Sequence, residues 1–276
     1  MGHAEEFFRN PNYAEYWSAK IRNQNYEEPY RREFLQALQA TSGELLLEVG
    51  VGEGRNLLDL VSSGAGYVGI DISREMLWKT RQRIPKQFAK RYDLLLADAM
   101  WLPFRAFSFD KALCFATIFF VPDQAKAISE IQSVARRRIA IEFRNSRNPK
   151  VFLYSRAFAF TRIARPLLRT LVQRKSVRDA LSLVLGRSRT EKLANQITVY
   201  GSLQPVFGLN VATLSKQIAK NGWRIESIRA YSMAHGVRSH GPNDNRTARF
   251  EPILVAHSVR ESPETTLEID THTQPA

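Results

Sequence analysis

Residues 45–56 read LLLEVGVGEGRN, and the reading of this stretch decides the fold. An apolar run carrying one acid gives way to glycines at Gly50, Gly52 and Gly54, and the apolar residues resume at Leu57 and Leu58. That order describes a buried strand turning sharply into a helix. Glycine permits the tight turn and lets a ligand approach the backbone closely. By itself the pattern also fits an ordinary strand–helix turn, so the flanking sequence has to separate the readings.

Downstream the alternation continues. ELLLEV (44–49), GYVGID (66–71), YDLLLAD (92–98), FDKALCFAT (109–117) and RRIAIEF (137–143) read as strands. Between them lie the helical patterns RNLLDLVSS, SREMLWKTRQRI and DQAKAISEIQSVA. Ser73 and Asp123 are placed as N-caps of the last two, and Glu75 falls in the first turn after Ser73. Near-continuous apolar strands alternating with helices predict a doubly wound, mostly parallel sheet covered on both faces. A later helix, NVATLSKQIAKNG, is stopped by Gly222. Two more strands, 223–233 and 249–259, bring the expected total to seven, the last one antiparallel. Residues 1–43 are rich in aromatics (Phe7, Phe8, Tyr13, Tyr16, Trp17, Tyr26, Tyr30) and end in the helical pattern Phe34, Leu35, Leu38. They read as an N-terminal helical lid. The core is expected at 44–145 and 201–260, with a basic helical insertion at 146–200 after the fifth strand. The polar stretch 261–276 is expected to be a disordered tail.

The acidic residues narrow the ligand. Asp71 ends the second strand 21 residues beyond Gly50, where a carboxylate reaches ribose hydroxyls. Glu48, two residues before Gly50, suits a ligand with a cationic ammonium and sulfonium and would repel a pyrophosphate. Together E-x-G-x-G-x-G at 48–54, D-I-S-x-x-M-L at 71–77 and D-A-x-x-L-P-F at 98–104 resemble the class I S-adenosylmethionine-dependent methyltransferase family. The resemblance covers about residues 44–143 and, more loosely, 205–259. It implies that S-adenosyl-L-methionine is the cofactor. Glu48, Gly50 and Gly52 would line its methionine side, Gly54 would be a further cofactor-binding position, and Asp71 would hold the ribose. Ile72 and Met76 would flank the adenine, Asp98 and Ala99 would meet its edge, and Phe115 would lie near the methyl donor. Each of the apolar three also has a plain reading as core.

The resemblance also sorts acceptors. The segment CFATIFFVPD (114–123) lacks the Asp/Asn-Pro-Pro-Tyr motif used on base amino groups, and a single cysteine excludes chemistry that needs a cysteine pair. An oxygen, or a carbon or nitrogen of a small molecule, is the expected acceptor, with O-methylation preferred. A hydroxyl acceptor benefits from a base. His235 and His240, in the segment MAHGVRSHGPND after the sixth strand, are the candidate catalytic residues, against the alternative of two solvated histidines. Glu142, Arg144 and Asn145 end the fifth strand at the same rim, either touching substrate or solvated. His257, mid-strand, reads as structural.

The chain has 276 residues, 44% hydrophobic and 24% charged, with a net charge of +13. Cys114, in an apolar run, reads as a buried inert thiol, and no cysteine cluster exists to hold zinc, so no metal is expected. No apolar run reaches the roughly 20 residues that span a bilayer, and the N-terminus lacks a secretory pattern, so a cytoplasmic protein is expected. Residues 144–192 hold thirteen Lys and Arg against two acids, Asp179 and Glu191. A cationic segment of this kind points to an anionic partner. On a helical wheel Phe160, Ile163, Ala164, Leu167, Leu168 and Leu171 face away from Arg162, Arg165, Arg169 and Gln173, and Pro166 kinks that helix or starts a second one. A packed helix with a solvated charged face, a substrate lid, and a helix lying in an anionic membrane interface all share that pattern. The favoured acceptor is therefore a small, amphiphilic or lipid-associated molecule. The alternatives are an RNA methyltransferase gripping phosphates through the insertion, and a cofactor-binding protein without catalysis.

Overall fold

The computed structural model describes residues 8, 13–15, 17–18, 28–153, 170–171, 174–190, 208–232, 236–240 and 253–260. The motif's apolar run forms β1 (Leu45–Val49). Strand alternation sends Leu46 and Glu48 to one face and Leu47 and Val49 to the other, and all four are buried. Helices α1 (Glu28–Leu38), α2 (Leu57–Ser62) and α3 (Arg74–Arg83) cover the first face, where Leu46 packs with Phe34, Leu38, Leu57, Leu60 and Leu77. Helices α4 (Gln124–Val134) and α6 (Val211–Ala219) cover the second, where Leu47 and Val49 join Ala127, Ile128, Ile131 and Leu214. Helix α5 (Lys175–Leu185) belongs to neither layer and buries none of its residues. Each fully buried Leu or Ile contributes about 1.5–3 kcal/mol, so the two layers hold the sheet from both sides.

The strands are β2 (Gly66–Asp71), β3 (Tyr92–Leu96), β4 (Phe109–Cys114), β5 (Ala135–Arg144), β6 (Trp223–Ser232), β7 (Gly236–His240) and β8 (Ile253–Arg260). They lie in the order β3-β2-β1-β4-β5-β8-β6-β7. β1 to β5 pair in parallel, and β8 runs antiparallel to both β5 and β6. The chain winds outward from β1 to β3 and then returns to β4. The order therefore reverses between β1 and β4, which opens a crevice at their carboxyl ends.

The expected caps form: the Ser73 hydroxyl accepts from the Met76 amide and Asp123 from the Lys126 amide. Asn210 and Thr213 close a capping box at α6. The strand count is corrected from seven to eight. Residues 236–240, read in sequence as loop, form β7, which pairs with β6 from Ser232↔Gly236 to Ile228↔His240. GVRSH carries no apolar period because an edge strand need not bury a face, so its pairing leaves little trace in composition. β3, expected to be covered on both faces, is the opposite edge strand, and Leu95 and Leu96 are exposed. His257 is completely buried within β8, and burial, then Arg229 and Arg138, lower its pKa to about 3. It is neutral and structural, as read from the sequence.

Most of the wheel drawn through 160–173 lies outside the described residues, as do His235 and the stretch 261–276.

Candidate active site

The crevice between β1 and β4 is a pocket whose wall includes Glu48, Gly50, Gly52, Asp71, Ile72, Met76, Asp98, Ala99 and Phe115. Nine of the ten cofactor positions read from the sequence meet there. Gly54 does not line it. A Cβ on Gly54 would lie 2.6 Å from the Thr80 side chain, so this glycine serves the close approach of α3 to the turn. The Thr80 hydroxyl donates to the Gly52 carbonyl at 2.8 Å. Gly50 and Gly52 differ in the same way. With φ of +81°, a Cβ on Gly50 would collide with Thr117, whereas one on Gly52, at φ +56°, would meet nothing within 4 Å. Gly50 is a packing glycine. Gly52 faces open space that a ligand can fill.

Asp71 is held by two backbone donors, Gly52 N to Oδ2 at 2.8 Å and Ser73 N to Oδ1 at 2.9 Å. Each oxygen keeps a lone pair for a further donor, as a ribose diol requires. Burial raises the pKa of Asp71 to about 6, against the opposing pull of these amides and that of Ile72.

Glu48 is 1% exposed and carries a partner on each oxygen: Asn56 Nδ2 donates to Oε1 at 2.6 Å and the Tyr67 hydroxyl to Oε2. The register explains the tyrosine. Leu46 pairs with Tyr67 and Glu48 with Gly69, so tyrosine and glutamate lie diagonally on one face of the sheet. A Cβ on Gly69 would lie 2.9 Å from Tyr67 Cε1, so only glycine leaves the ring room to lie across toward Glu48. Burial raises the pKa of Glu48 to about 7, opposed by Tyr67, Asn56, Arg55 and Arg31. Arg31 of α1 clamps the assembly from outside, donating to Arg55 O, Asn56 Oδ1 and Asp59 Oδ2 at 3.1, 3.2 and 2.7 Å. Glu48 is thus a carboxyl fixed in position beneath the turn. Nothing in the sequence pattern marked Arg31 or Asn56. The strand register alone would have paired Tyr67 with Glu48.

At the far wall, Asp98 accepts from the Met100 amide at 2.8 Å. The described N-terminal residues close over the near side. Phe8 meets Phe120 edge-on at 5.3 Å, and Tyr13 packs on Met76 with Trp17 alongside. Burial, then the Asp71 and Glu53 carboxylates, push the Tyr13 phenol well above its ordinary range.

Past β4 the backbone takes an uncommon shape. Ala116 has φ +49°, a conformation unfavourable for a residue with a Cβ. Its amide donates to Oε2 of Glu142 at 3.2 Å. Glu142, at the end of β5, is completely buried and lines the pocket, with Arg144 Nη2 3.6 Å from its other oxygen. Of the two sequence readings for Glu142, contact with substrate or solvation, its full burial is against solvation. The histidines fare differently. His240 lies on β7 rather than in a rim loop, and its backbone pairs four residues back from the rim. β7 stands four strands from β4, about 19 Å at the usual strand spacing. His235 is outside the described residues.

The pocket carries five carboxylates (Glu48, Glu53, Asp71, Asp98, Glu142) against two guanidiniums, Arg31 and Arg55. A doubly wound sheet with an acidic crevice at its switch point defines a Rossmann-like domain for a cationic nucleoside ligand. Residues 47–138 match the family model described as a methyltransferase domain. That stretch of the chain is thus similar to a methyltransferase domain, in agreement with the class I S-adenosylmethionine-dependent methyltransferases that its motifs resemble. The methyltransferase GfsG of Streptomyces halstedii is 31% identical over 103 residues, 37% of this chain and 37% of that protein. The ubiquinone biosynthesis O-methyltransferase of Hahella chejuensis is 30% identical over 133 residues, 46% of this chain and 54% of that protein. The chain spans about half, or less, of the length of these curated relatives. An S-adenosylmethionine dependent methyltransferase from Mesorhizobium loti superposes with a TM-score of 0.54 at 14% identity, over 83% of this chain and 96% of that one, which shows the fold. The residues present fit S-adenosylmethionine. Gly52 leaves space at the turn, Asp71 retains lone pairs for the ribose, and the excess of carboxylates suits a ligand with a sulfonium and an ammonium.

Proposed function

We propose that the protein transfers a methyl group from S-adenosylmethionine to an oxygen of a small, amphiphilic acceptor. The observation that carries this reading is the wall contributed by β4, β5 and the N-terminal residues. Phe8, Trp17, Phe120, Val121 and Pro122 line the same pocket as Glu142, a completely buried carboxylate. An apolar wall favours an apolar acceptor body, and a buried carboxylate on the same side of the pocket favours a hydroxyl directed at it. A relative that acts in ubiquinone biosynthesis as an O-methyltransferase supports the same chemistry.

When bound against Gly52 and Asp71, S-adenosylmethionine would supply an electrophilic methyl group, with a neutral thioether as the leaving group. The chain's own residues align the acceptor, exclude water and take up its proton. Arg144, stacked 5.0 Å over Phe119, sets a positive charge 3.6 Å from Oε1 of Glu142. Glu142 accepts the hydroxyl proton as the oxygen–carbon bond forms. The Ala116 amide, already bonded to Glu142, fixes the carboxylate's direction. In this reading Glu142 takes the role that the sequence offered to His235 and His240.

The test is Glu142→Gln, which preserves shape and removes the base. With phenolic and quinol acceptors it lowers kcat about 100-fold or more, while calorimetry shows cofactor affinity within about twofold of wild type. Unchanged turnover would remove Glu142 from the reaction. A loss confined to cofactor affinity would make it part of the cofactor site.

A further inference from the structure

We propose that α5 is a docking surface for an anionic lipid membrane, lying in the headgroup interface with its apolar residues inserted. This concerns where the protein works and stands independently of the acceptor's identity.

Thirteen large hydrophobic side chains are exposed among the described residues, and six of them fall between 152 and 185: Phe152, Leu153, Leu171, Leu183, Val184 and Leu185. Leu183 is 88% and Val184 82% exposed, the two highest values of the thirteen. Val177, Ala180, Leu181 and Val184 repeat at i, i+3, i+4 and i+7, so α5 has a continuous apolar face. An isolated helix of 11 residues is marginal in water. Among the described residues Val177 and Leu181 are only half-buried and no residue of α5 is fully buried, so a helix of this length gains stability from a further partner. Contiguous exposed apolar surface of this kind marks a contact site.

Charge selects the partner. Arg174, Lys175 and Arg178 occupy the start of α5, Arg187 and Arg189 follow its end, and Asp179 is the one acid among them. Three cations on the first turn oppose the helix dipole, and the helix has no acidic residue there to offset them. External anions relieve that arrangement. A second copy of the chain would bring the same cations into contact and repel. A nucleic acid would take the cations but leave Leu183 and Val184 in water. An anionic bilayer interface accepts both, with basic side chains reaching the headgroups and aliphatic ones the acyl boundary. Among the described residues no helix is long and apolar enough to cross a membrane, so contact in the plane of the interface is the geometry available.

The experiment is co-sedimentation of the full chain with vesicles of phosphatidylcholine alone and of phosphatidylcholine with phosphatidylserine. Binding is expected to the mixed vesicles and not to the neutral ones. The double variant Leu183→Asp, Val184→Asp weakens it at least about tenfold, and Arg174→Glu, Lys175→Glu, Arg178→Glu abolishes it. Both leave cofactor affinity unchanged, because α5 contributes nothing to the pocket. In Leu183→Trp the indole emission shifts to the blue on vesicle addition and is quenched by brominated lipid. The proposal is overturned if wild type ignores both vesicles or if the Asp variant binds like wild type. Binding only RNA or DNA in a gel shift overturns it too, as does a dimer that the Asp substitutions dissociate.

Discussion

The pocket and the segment 144–192 carry opposite charge in one chain, and they hold it by different physics. In the pocket, five carboxylates face two guanidiniums. Glu48 and Asp71 are buried, fixed by named donors, and their protonation is shifted by desolvation. In the segment, thirteen cations face two acids, and those of α5 are exposed on a helix with no fully buried residue. Buried charges act at short range on a shape-matched ligand. Exposed ones act over a screening length on any anionic surface. A net charge of +13 therefore says nothing about the ligand in the crevice, which is cationic.

The largest expected effect tests the buried half of this contrast. Folding raises the pKa of Glu48 to about 7 from an ordinary value of 4.5. The folded state therefore binds the proton more tightly than the unfolded one. The contribution of Glu48 to the stability of the protein without cofactor is therefore greatest below pH 4.5, falls as pH rises toward 7, and changes little beyond that. Glu48→Gln removes the penalty, so at pH 8 its unfolding free energy from chemical denaturation exceeds that of wild type by as much as about 3 kcal/mol. The gap closes near pH 4.5. A gap independent of pH would show that Glu48 contributes through its shape rather than its charge.

Next in size is Asp71→Ala. Loss of the ribose partner weakens S-adenosylmethionine binding by about 1–3 kcal/mol, read by calorimetry. Wild-type affinity would take Asp71 out of the site. In wild type the same binding tightens between pH 5 and 7, because burial puts the pKa of Asp71 at about 6 and the ligand favours the ionised form.

The smallest effect separates the two regions directly. Raising the ionic strength from about 0.1 M to about 1 M shortens the screening length from about 10 Å to about 3 Å. Cofactor affinity should change by less than about twofold, while retention on a phosphate-bearing resin is lost. Equal sensitivity in the two assays would erase the distinction drawn here.

The sequence made the parallel half of the sheet legible because glycines and acids there serve both the backbone and the ligand. β2 spans the residues read from GYVGID, and Ser73 and Asp123 cap the helices they were assigned. Legibility ended where burial decides a role. Gly54 carries the motif spacing, yet its missing Cβ makes room for Thr80. Glu142 stands on a strand whose sequence neighbours do not reveal that its carboxylate faces the cavity. Arg31 reaches the turn from 25 residues upstream of Asn56, a contact that only tertiary structure creates. β7 went unread because its pairing is carried by backbone hydrogen bonds on an edge, which leave no apolar period.

Cys114, the chain's one cysteine, ends β4 directly before the pocket residue Phe115, and burial followed by the Glu142 and Glu48 charges suppresses its thiolate. In the closed sheet a thiol reagent finds neither access nor a nucleophile, so labelling proceeds only through opening at β4. The protein thus carries its own clock. The labelling rate of one native side chain, followed with and without cofactor, measures how often the floor of the site comes apart.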